Sequence, residues 1–332
     1  MKATAVAHPN IALVKYWGKR DSTLNLPRAG SLSLTLAGME SRTTVAFDRT
    51  LAEDELRVDG KPAPEGSLRK ARRILDEVRR LAGERVGGVN AYVESVNDFP
   101  TGAGLASSAS GFAALAVAAS AAAELVLTEA QVSVLARLGS GSACRSVLGG
   151  WAEWRRGERD DGADSHAVPV APIHHWDVTM LVAVVEEGPK DVSSTEGMER
   201  TRLTSPYFEP FLATIPSDLD PTKRAIAARD LEELGKVMER NCLRMHAAMM
   251  GAEPPLVYLR GASLDVVARV RELRARGLAA HFTIDAGPNV KVLCATPDAD
   301  AVERTLAGTV GVSRVIRTRP GPAARVIDFD RG

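Results

Sequence analysis

The sequence lacks several features that would each have set its class. It carries no excess of charge: 42 Lys and Arg stand against 42 Asp and Glu in 332 residues. No overall field therefore draws it to nucleic acid or to an anionic membrane. Cysteine is scarce, and Cys144, Cys242 and Cys294 are odd in number, far apart and form no CxxC pair. That excludes a disulfide framework and a zinc site, and fits a reducing cytoplasm. No stretch approaches the ~20 apolar residues of a membrane span. The opening MKATAVAHPNIALVKYWGK breaks its short apolar run at His8, Pro9 and Asn10 instead of building a signal-peptide core. Internal repeats and low-complexity linkers are missing too. What remains is the expectation of a soluble, cytoplasmic globular protein with no nucleic-acid or membrane partner. At 45% hydrophobic and 25% charged residues, it has material for one large or two medium domains.

Of what is present, Asn97–Phe112 (NDFPTGAGLASSASGF) organises the rest. A strand reading over Val89–Val96 leads into it, and the helix formers Gly111–Ser120 follow. A glycine-rich turn feeding a helix start aims unpaired N–H groups and the positive end of the helix dipole at one spot, which suits phosphate. Gly102, Gly104, Leu105 and Ala106 supply backbone there, and Ser107 and Ser108 add hydroxyls. On this stretch alone, an ordinary capped, Ala-rich core helix explains the residues equally well. It is no Walker loop, because no lysine follows the glycines. Cationic partners must come from elsewhere.

Several segments offer them. Lys15-Tyr-Trp-Gly-Lys-Arg-Asp21 places two lysines four apart around a flexible Gly18, although a solvated turn is the usual meaning of such a cluster. The helix expected over Ser67–Ala82, capped by Gly83, carries Arg69, Lys70, Arg72, Arg73, Arg79 and Arg80. Most of these should be its wet face, with one or two left to reach an anion. Gly139-Ser-Gly-Ser-Ala-Cys-Arg145 sets serines around one arginine able to fork a carboxylate, although taken alone the segment reads as a flexible turn with Arg145 on the surface. Lys190-Asp-Val-Ser-Ser194 again sets a cation beside hydroxyls, and Asp285-Ala-Gly-Pro-Asn289 ends a strand in what is normally turn chemistry. Residues 157–176 read as a polar, Pro-rich surface connection, and Thr222–Met250 as one long helical region. Val178–Val185, a continuous apolar strand, opens a second domain. The division expected is 1–177 and 178–332, with an α+β second half.

Taken together, Asn10-Ile-Ala-Leu-Val-Lys-Tyr-Trp-Gly-Lys-Arg-Asp21, Phe99-Pro-Thr-Gly-Ala-Gly-Leu-Ala-Ser-Ser-Ala109, Ser140-Gly-Ser-Ala-Cys-Arg145 and Asp285-Ala-Gly-Pro-Asn289 resemble the diphosphomevalonate decarboxylases. These belong to the superfamily of galactokinase, homoserine kinase, mevalonate kinase and phosphomevalonate kinase. The resemblance runs to the last strand and implies an α+β, two-domain fold. Its N-terminal, nucleotide-binding domain would be like ribosomal protein S5 domain 2, and its C-terminal domain ferredoxin-like. It implies use of ATP and Mg²⁺ to convert 5-diphosphomevalonate to isopentenyl diphosphate, ADP, phosphate and CO₂, in a homodimer. It assigns Asp285 the proton of the tertiary hydroxyl, Lys15 its ionised state, and Arg145 the substrate carboxylate. Gly102, Gly104, Leu105, Ala106, Ser107 and Ser108 match the ATP phosphate site. Tyr16, Lys19, Ser140, Ser142, Lys190 and Ser194 match positions handling the diphosphate or the nucleotide, and the Mg²⁺ ligands stay unassigned.

Two departures stand out: Arg28-Ala29-Gly30-Ser31 replaces the usual Thr-Asn-Ser-Ser, and Asp98 stands where Asn is common. A 5-phosphomevalonate decarboxylase, a mevalonate 3-kinase and a non-catalytic nucleotide-binding scaffold are the alternatives. The presence of both Lys15 and Asp285 speaks for the decarboxylase.

Overall fold

The computed structural model describes residues 1–99, 107–188 and 191–330. Strands β1 (Lys2–Ala7) and β2 (Asn10–Val14) separate at His8-Pro9 and enter different sheets. After them come β3 (Ser31–Thr35), β4 (Ser41–Asp48) and β5 (Glu55–Val58). Asp59 and Gly60 both take positive φ in the hairpin after β5, as an Asp-Gly pair predicts. Helix α1 (Glu65–Ala82) ends at Gly83, whose φ is +57°. Then follow β6 (Asn90–Asn97), α2 (Ser107–Ala122) and α3 (Glu129–Gly139), the last opened by a complete Thr128–Gln131 capping box. Alanines make α2 apolar all round because it is buried on several sides, against β1, β4, α1 and α3.

Next come β7 (Trp151–Trp154) and β8 (Ala167–Ala171). Residues 157–176 are therefore more than a surface connection: β8 pairs with β7 and completes a four-stranded sheet ordered β8-β7-β3-β2. Its alternation is weak because Pro169 interrupts it, which an edge strand tolerates.

The second half contains β9 (Val178–Val184), α4 (Ser194–Thr204), α5 (Phe208–Ala228), α6 (Leu231–Met250), α7 (Gly261–Ala275), β10 (Ala280–Ile284), β11 (Val290–Ala295), α8 (Ala299–Ala307) and β12 (Arg314–Thr318). Its sheet is antiparallel throughout, ordered β10-β11-β9-β12, with helices joining β9 to β10 and β11 to β12. That is the ferredoxin-like βαββαβ arrangement. The helical region expected over Thr222–Met250 is divided between two helices. Arg229 adopts a left-handed φ of 58° and closes α5, and the Asp230 side chain caps α6 by accepting from Glu233 N–H. A last strand, β13 (Arg325–Asp330), returns to pair antiparallel with β1. Sheet membership thus cuts across a division at residue 177, since the chain's end completes the six-stranded first sheet.

One apolar cluster joins the halves. Ile11, Leu13 and Trp17 pack with Phe208, Met238 and Met245, and α6 touches both β2 and β10. This contact carries the end of β2 to the end of β10.

Candidate active site

Where β2 ends, Lys15 turns inward and is 2% exposed. Its Nζ donates to Ala12 O at 2.8 Å and to Asp285 Oδ1 at 2.6 Å, a pairing of residues 270 apart in sequence. Asp285 follows β10, and Lys291, across the next turn on β11, brings Nζ within 3.2 Å of its other oxygen, Oδ2. Lys291 is 1% exposed, whereas the Asp285 side chain is 30% exposed and faces the cleft. Burial alone would push the Asp285 carboxyl up. The Lys15 and Lys291 ammoniums reverse this and hold it well below the usual carboxylate range.

Sequence reasoning finds the first two members of this trio and misses Lys291. A signal existed: a lone lysine within the apolar run of β11 requires a buried counter-charge.

Arg145 lies on the short helix Ala143–Ser146 and is 2% exposed. Nε donates to Asn10 Oδ1 (3.2 Å) and Ser33 Oγ (3.0 Å), and Nη1 donates to Ser31 Oγ (2.5 Å). Asn10 is itself fixed by donating to Ser142 O and Ser146 Oγ. These neutral acceptors orient the guanidinium without cancelling its charge. Trp154 lies beside it, with the guanidinium carbon 5.8 Å from the ring centroid. Among the described residues Nη2 has no partner, and this edge stays open for a carboxylate. Within the departing segment, the added Arg28 and the retained Ser31 point to different ends. Ser31 serves Arg145, while Arg28 turns outward to Glu209 (2.7 Å).

A cleft of ≈ 690 Å³ joins these groups. Around it stand Lys15, Arg145 and Asp285 with Tyr16, Lys19, Arg69 and Lys70, and its wall continues through Ser107, Ser108, Ser140, Ser142 and Ser194. Lys19 donates to Asn25 Oδ1 at 2.7 Å. Burial, with Lys70 and Arg73 nearby, pushes its pKa down to about 8. Lys70 is lowered by burial and by Arg73 and Arg69. An excess of cations that depress one another marks a place prepared for an anion. The Tyr16 hydroxyl is buried with no hydrogen-bond partner among the described residues. Burial raises its pKa, so it remains a neutral donor.

Most cations of the basic helix α1 are engaged by the protein itself. Arg72, Arg79 and Arg80 pair with Glu53, Asp54 and Glu77 respectively. Arg73 donates to the carbonyls of Ser22 and Thr23. Arg69 and Lys70 alone of this set line the cleft.

Ser107 and Ser108 stand at the start of α2, on the wall shared by the cleft and a second, mainly apolar pocket of ≈ 190 Å³. Leu56, Val58, Val93, Phe112 and Leu115 supply that pocket's apolar surface. Gly102, Gly104, Leu105, Ala106 and Lys190 lie outside the described residues. Asp98 spends Oδ1 on Glu40 N–H at 2.6 Å, a backbone tie between the β4 and β6 ends. No group of three His, Cys, Asp or Glu suited to a metal occurs among the described residues. The donors present fit a magnesium ion held chiefly by nucleotide phosphates and water, with serine hydroxyls at hand.

A helix start with hydroxyls, a cationic cleft and a carboxylate held between two ammoniums suit a polyanionic ligand beside a proton-accepting group. Residues 7–167 match the family model described as the diphosphomevalonate decarboxylase-like N-terminal domain. Residues 180–320 match that of the mevalonate 5-diphosphate decarboxylase C-terminal domain. The chain belongs to the diphosphomevalonate decarboxylase family. It is 38% identical to diphosphomevalonate decarboxylase mvd1 of Aspergillus fumigatus over 326 residues, 93% of this chain and 81% of that one. Mevalonate diphosphate decarboxylase from Staphylococcus aureus superposes with a TM-score of 0.92 at 40% identity, covering 98% of both chains. A solved complex of MDDEF with MVAPP, AMPPCP and magnesium superposes with a TM-score of 0.91 at 41% identity, covering 99% of both chains.

Proposed function

We propose that this protein decarboxylates (R)-5-diphosphomevalonate with ATP, giving isopentenyl diphosphate, ADP, phosphate and CO₂ in the mevalonate pathway. The observation that carries this is the Lys15–Asp285–Lys291 trio opening on the same cleft as Arg145. A kinase needs a site for the hydroxyl, whereas a decarboxylase needs one for the adjacent carboxylate as well.

In the first step the tertiary hydroxyl donates to the free lone pairs of Asp285 while its oxygen attacks the γ-phosphorus. The bond from that phosphorus to the ADP oxygen breaks. Asp285 is a weak base because two ammoniums hold its pKa down. It therefore aims the hydroxyl and takes the proton only as the new O–P bond makes that proton acidic. Held acidic by its two ammoniums, Asp285 then passes that proton to the phosphate group just formed and is a carboxylate again. In the second step the C–O bond to that phosphate breaks, the phosphate leaves carrying the proton, and charge builds on the tertiary carbon beside the Asp285 carboxylate. The carboxylate's C–C electron pair becomes the new double bond as CO₂ leaves. Arg145, fixed by Asn10, Ser31 and Ser33, holds the carboxylate in line for this.

Lys19, Lys70, Arg69, Tyr16, Ser140 and Ser142 form the wall that suits the diphosphate. Lys190 and Ser194 are proposed to join that substrate-binding set, while Ser107, Ser108 and the α2 start suit the ATP phosphates, with the glycine loop proposed to assist. The apolar pocket beyond Ser107 suits the base. Bound with ATP near the serine hydroxyls of the cleft, Mg²⁺ would supply neutralisation of phosphate charge. MDDEF was solved with MVAPP, AMPPCP and magnesium together, which supports this set of ligands. Three buried free cysteines support work in a reducing cytoplasm, and a homodimer is the assembly we propose.

The test is turnover with ATP and Mg²⁺ on 5-diphosphomevalonate, 5-phosphomevalonate and mevalonate side by side. We expect CO₂ and phosphate from the diphosphate with the highest kcat/KM. Preference for the monophosphate, or a phosphorylated product without CO₂, would move the assignment to a sister activity.

A further inference from the structure

Lys15 and Asp285 come from different sheets, and a short ion pair between them demands that both main chains be held. One face of α6 does this. Asn241, fully buried, accepts Lys15 N–H on Oδ1 at 2.8 Å, across 226 residues of sequence. Its Nδ2 donates to Asp218 Oδ2 at 2.9 Å, which fixes the amide's orientation. Asp218, 0% exposed on α5, is held in turn by Arg240 at 2.7 Å and Arg244 at 3.4 Å.

The neighbouring residue on α6, Cys242, accepts Ile284 N–H on Sγ at 3.1 Å. One turn on, His246 Nε2 lies 3.3 Å from Ile284 O. Burial pushes the His246 pKa down to about 4, against the bond to Ile284. The ring is therefore neutral at physiological pH and donates through Nε2. Both polar groups of Ile284, the residue immediately before Asp285, are thus engaged by one helix turn.

We propose that α6 is the positioning element of the catalytic pair, with Asn241, Cys242 and His246 setting the Lys15–Asp285 geometry from behind. None of the three needs to touch substrate; they act through the main chain. The inference rests on the decarboxylase reading above. Its chemical content is that the Asn241–Asp218 pair acts as a donor–acceptor lock between α5, α6 and the end of β2. A helix is the suitable part for this, since its residues keep fixed spacing while loops do not.

The lock can be inverted. In N241D two carboxylates face each other. The double variant N241D/D218N restores complementarity: the amide introduced on α5 donates to the carboxylate introduced on α6, which still accepts Lys15 N–H. We expect N241D to lower kcat about 10- to 100-fold with both KM values within about twofold. The double variant should regain most of kcat. A parallel pair is H246L, expected to lose about tenfold in kcat, and H246Q, whose amide can still donate to Ile284 O and should retain most of it. Folded N241D or H246L with wild-type kcat overturns the proposal. So does a double variant that recovers thermal stability but not kcat, or losses that fall on KM. If N241D does not fold, the His246 pair decides. Wild-type protein that releases no CO₂ from 5-diphosphomevalonate would instead overturn the functional reading, and this inference with it.

Discussion

The two ends of the cleft are built on opposite principles. At one end the start of α2, which we propose for the ATP phosphates, is local: loop, hydroxyls and helix lie in a single stretch of sequence. At the other, Lys15, Arg145 and the hairpin bearing Asp285 and Lys291 arrive from three separate segments and meet only in the folded chain. On that reading the local end relies on a helix start and its dipole, which any nucleotide-using relative can share. The assembled end divides its charges between two tasks, ammoniums to hold a carboxylate and a guanidinium to hold a substrate. Generic binding and specific chemistry are thus separated in space and also in how the sequence encodes them.

The largest effect should come from breaking the assembled end. D285N should lower kcat by roughly 10³-fold or more, while ATP affinity, measured by calorimetry, stays within about threefold. The same substitution leaves Lys15 and Lys291 buried without their counter-charge, so the melting temperature should fall. R145Q should follow, with kcat down about 10²-fold and ATP affinity unchanged. Phosphoryl transfer should suffer less than CO₂ release in this variant, since only the second step needs the carboxylate aligned.

Breaking the local end should be milder. S107A or S108A should raise the KM for ATP by about tenfold or less, because backbone donors and the dipole remain. Equal losses of kcat in D285N and S107A would erase the contrast.

The smallest effect is one of pH. Lys19, with its pKa pushed down to about 8 by burial and neighbouring cations, is charged below that pH and loses its charge above it. For the free enzyme, kcat/KM for the diphosphate should therefore decline as pH rises through about 8, and K19R should remove that decline. Asp285, held below the usual carboxylate range, stays ionised across this window and contributes no acidic limb there. Its ionisation stabilises the folded state above the unfolded carboxylate pKa, a contribution lost only as pH falls through its own depressed value.

Much of the local secondary structure was legible because periodicity, glycine and capping signals report on neighbours in sequence. The Thr128 capping box, the Gly83 stop and the Asp59-Gly60 turn all appear where their chemistry requires. For the assembled end, residue types alone left Arg145 and Asp285 as surface arginine and turn aspartate. Resemblance to a family named them, and the fold supplied the reason. Lys291 escaped because strand pairing, not sequence spacing, brings β11 alongside β10. Asn10 and Ser33 escaped because their function is to hold Arg145, which lies 135 and 112 residues away. The break at Arg229 was hidden since no glycine marks it; a non-glycine residue takes the left-handed position.

The central claim is that hydroxyl phosphorylation and elimination occur at one carboxylate in one cleft. Rapid quenching of a single turnover with γ-labelled ATP and 5-diphosphomevalonate tests it most directly. The account predicts that label appears as inorganic phosphate in step with CO₂, one of each per ADP. Label that accumulates on an organic product, with ADP formed and no CO₂ released, would contradict it.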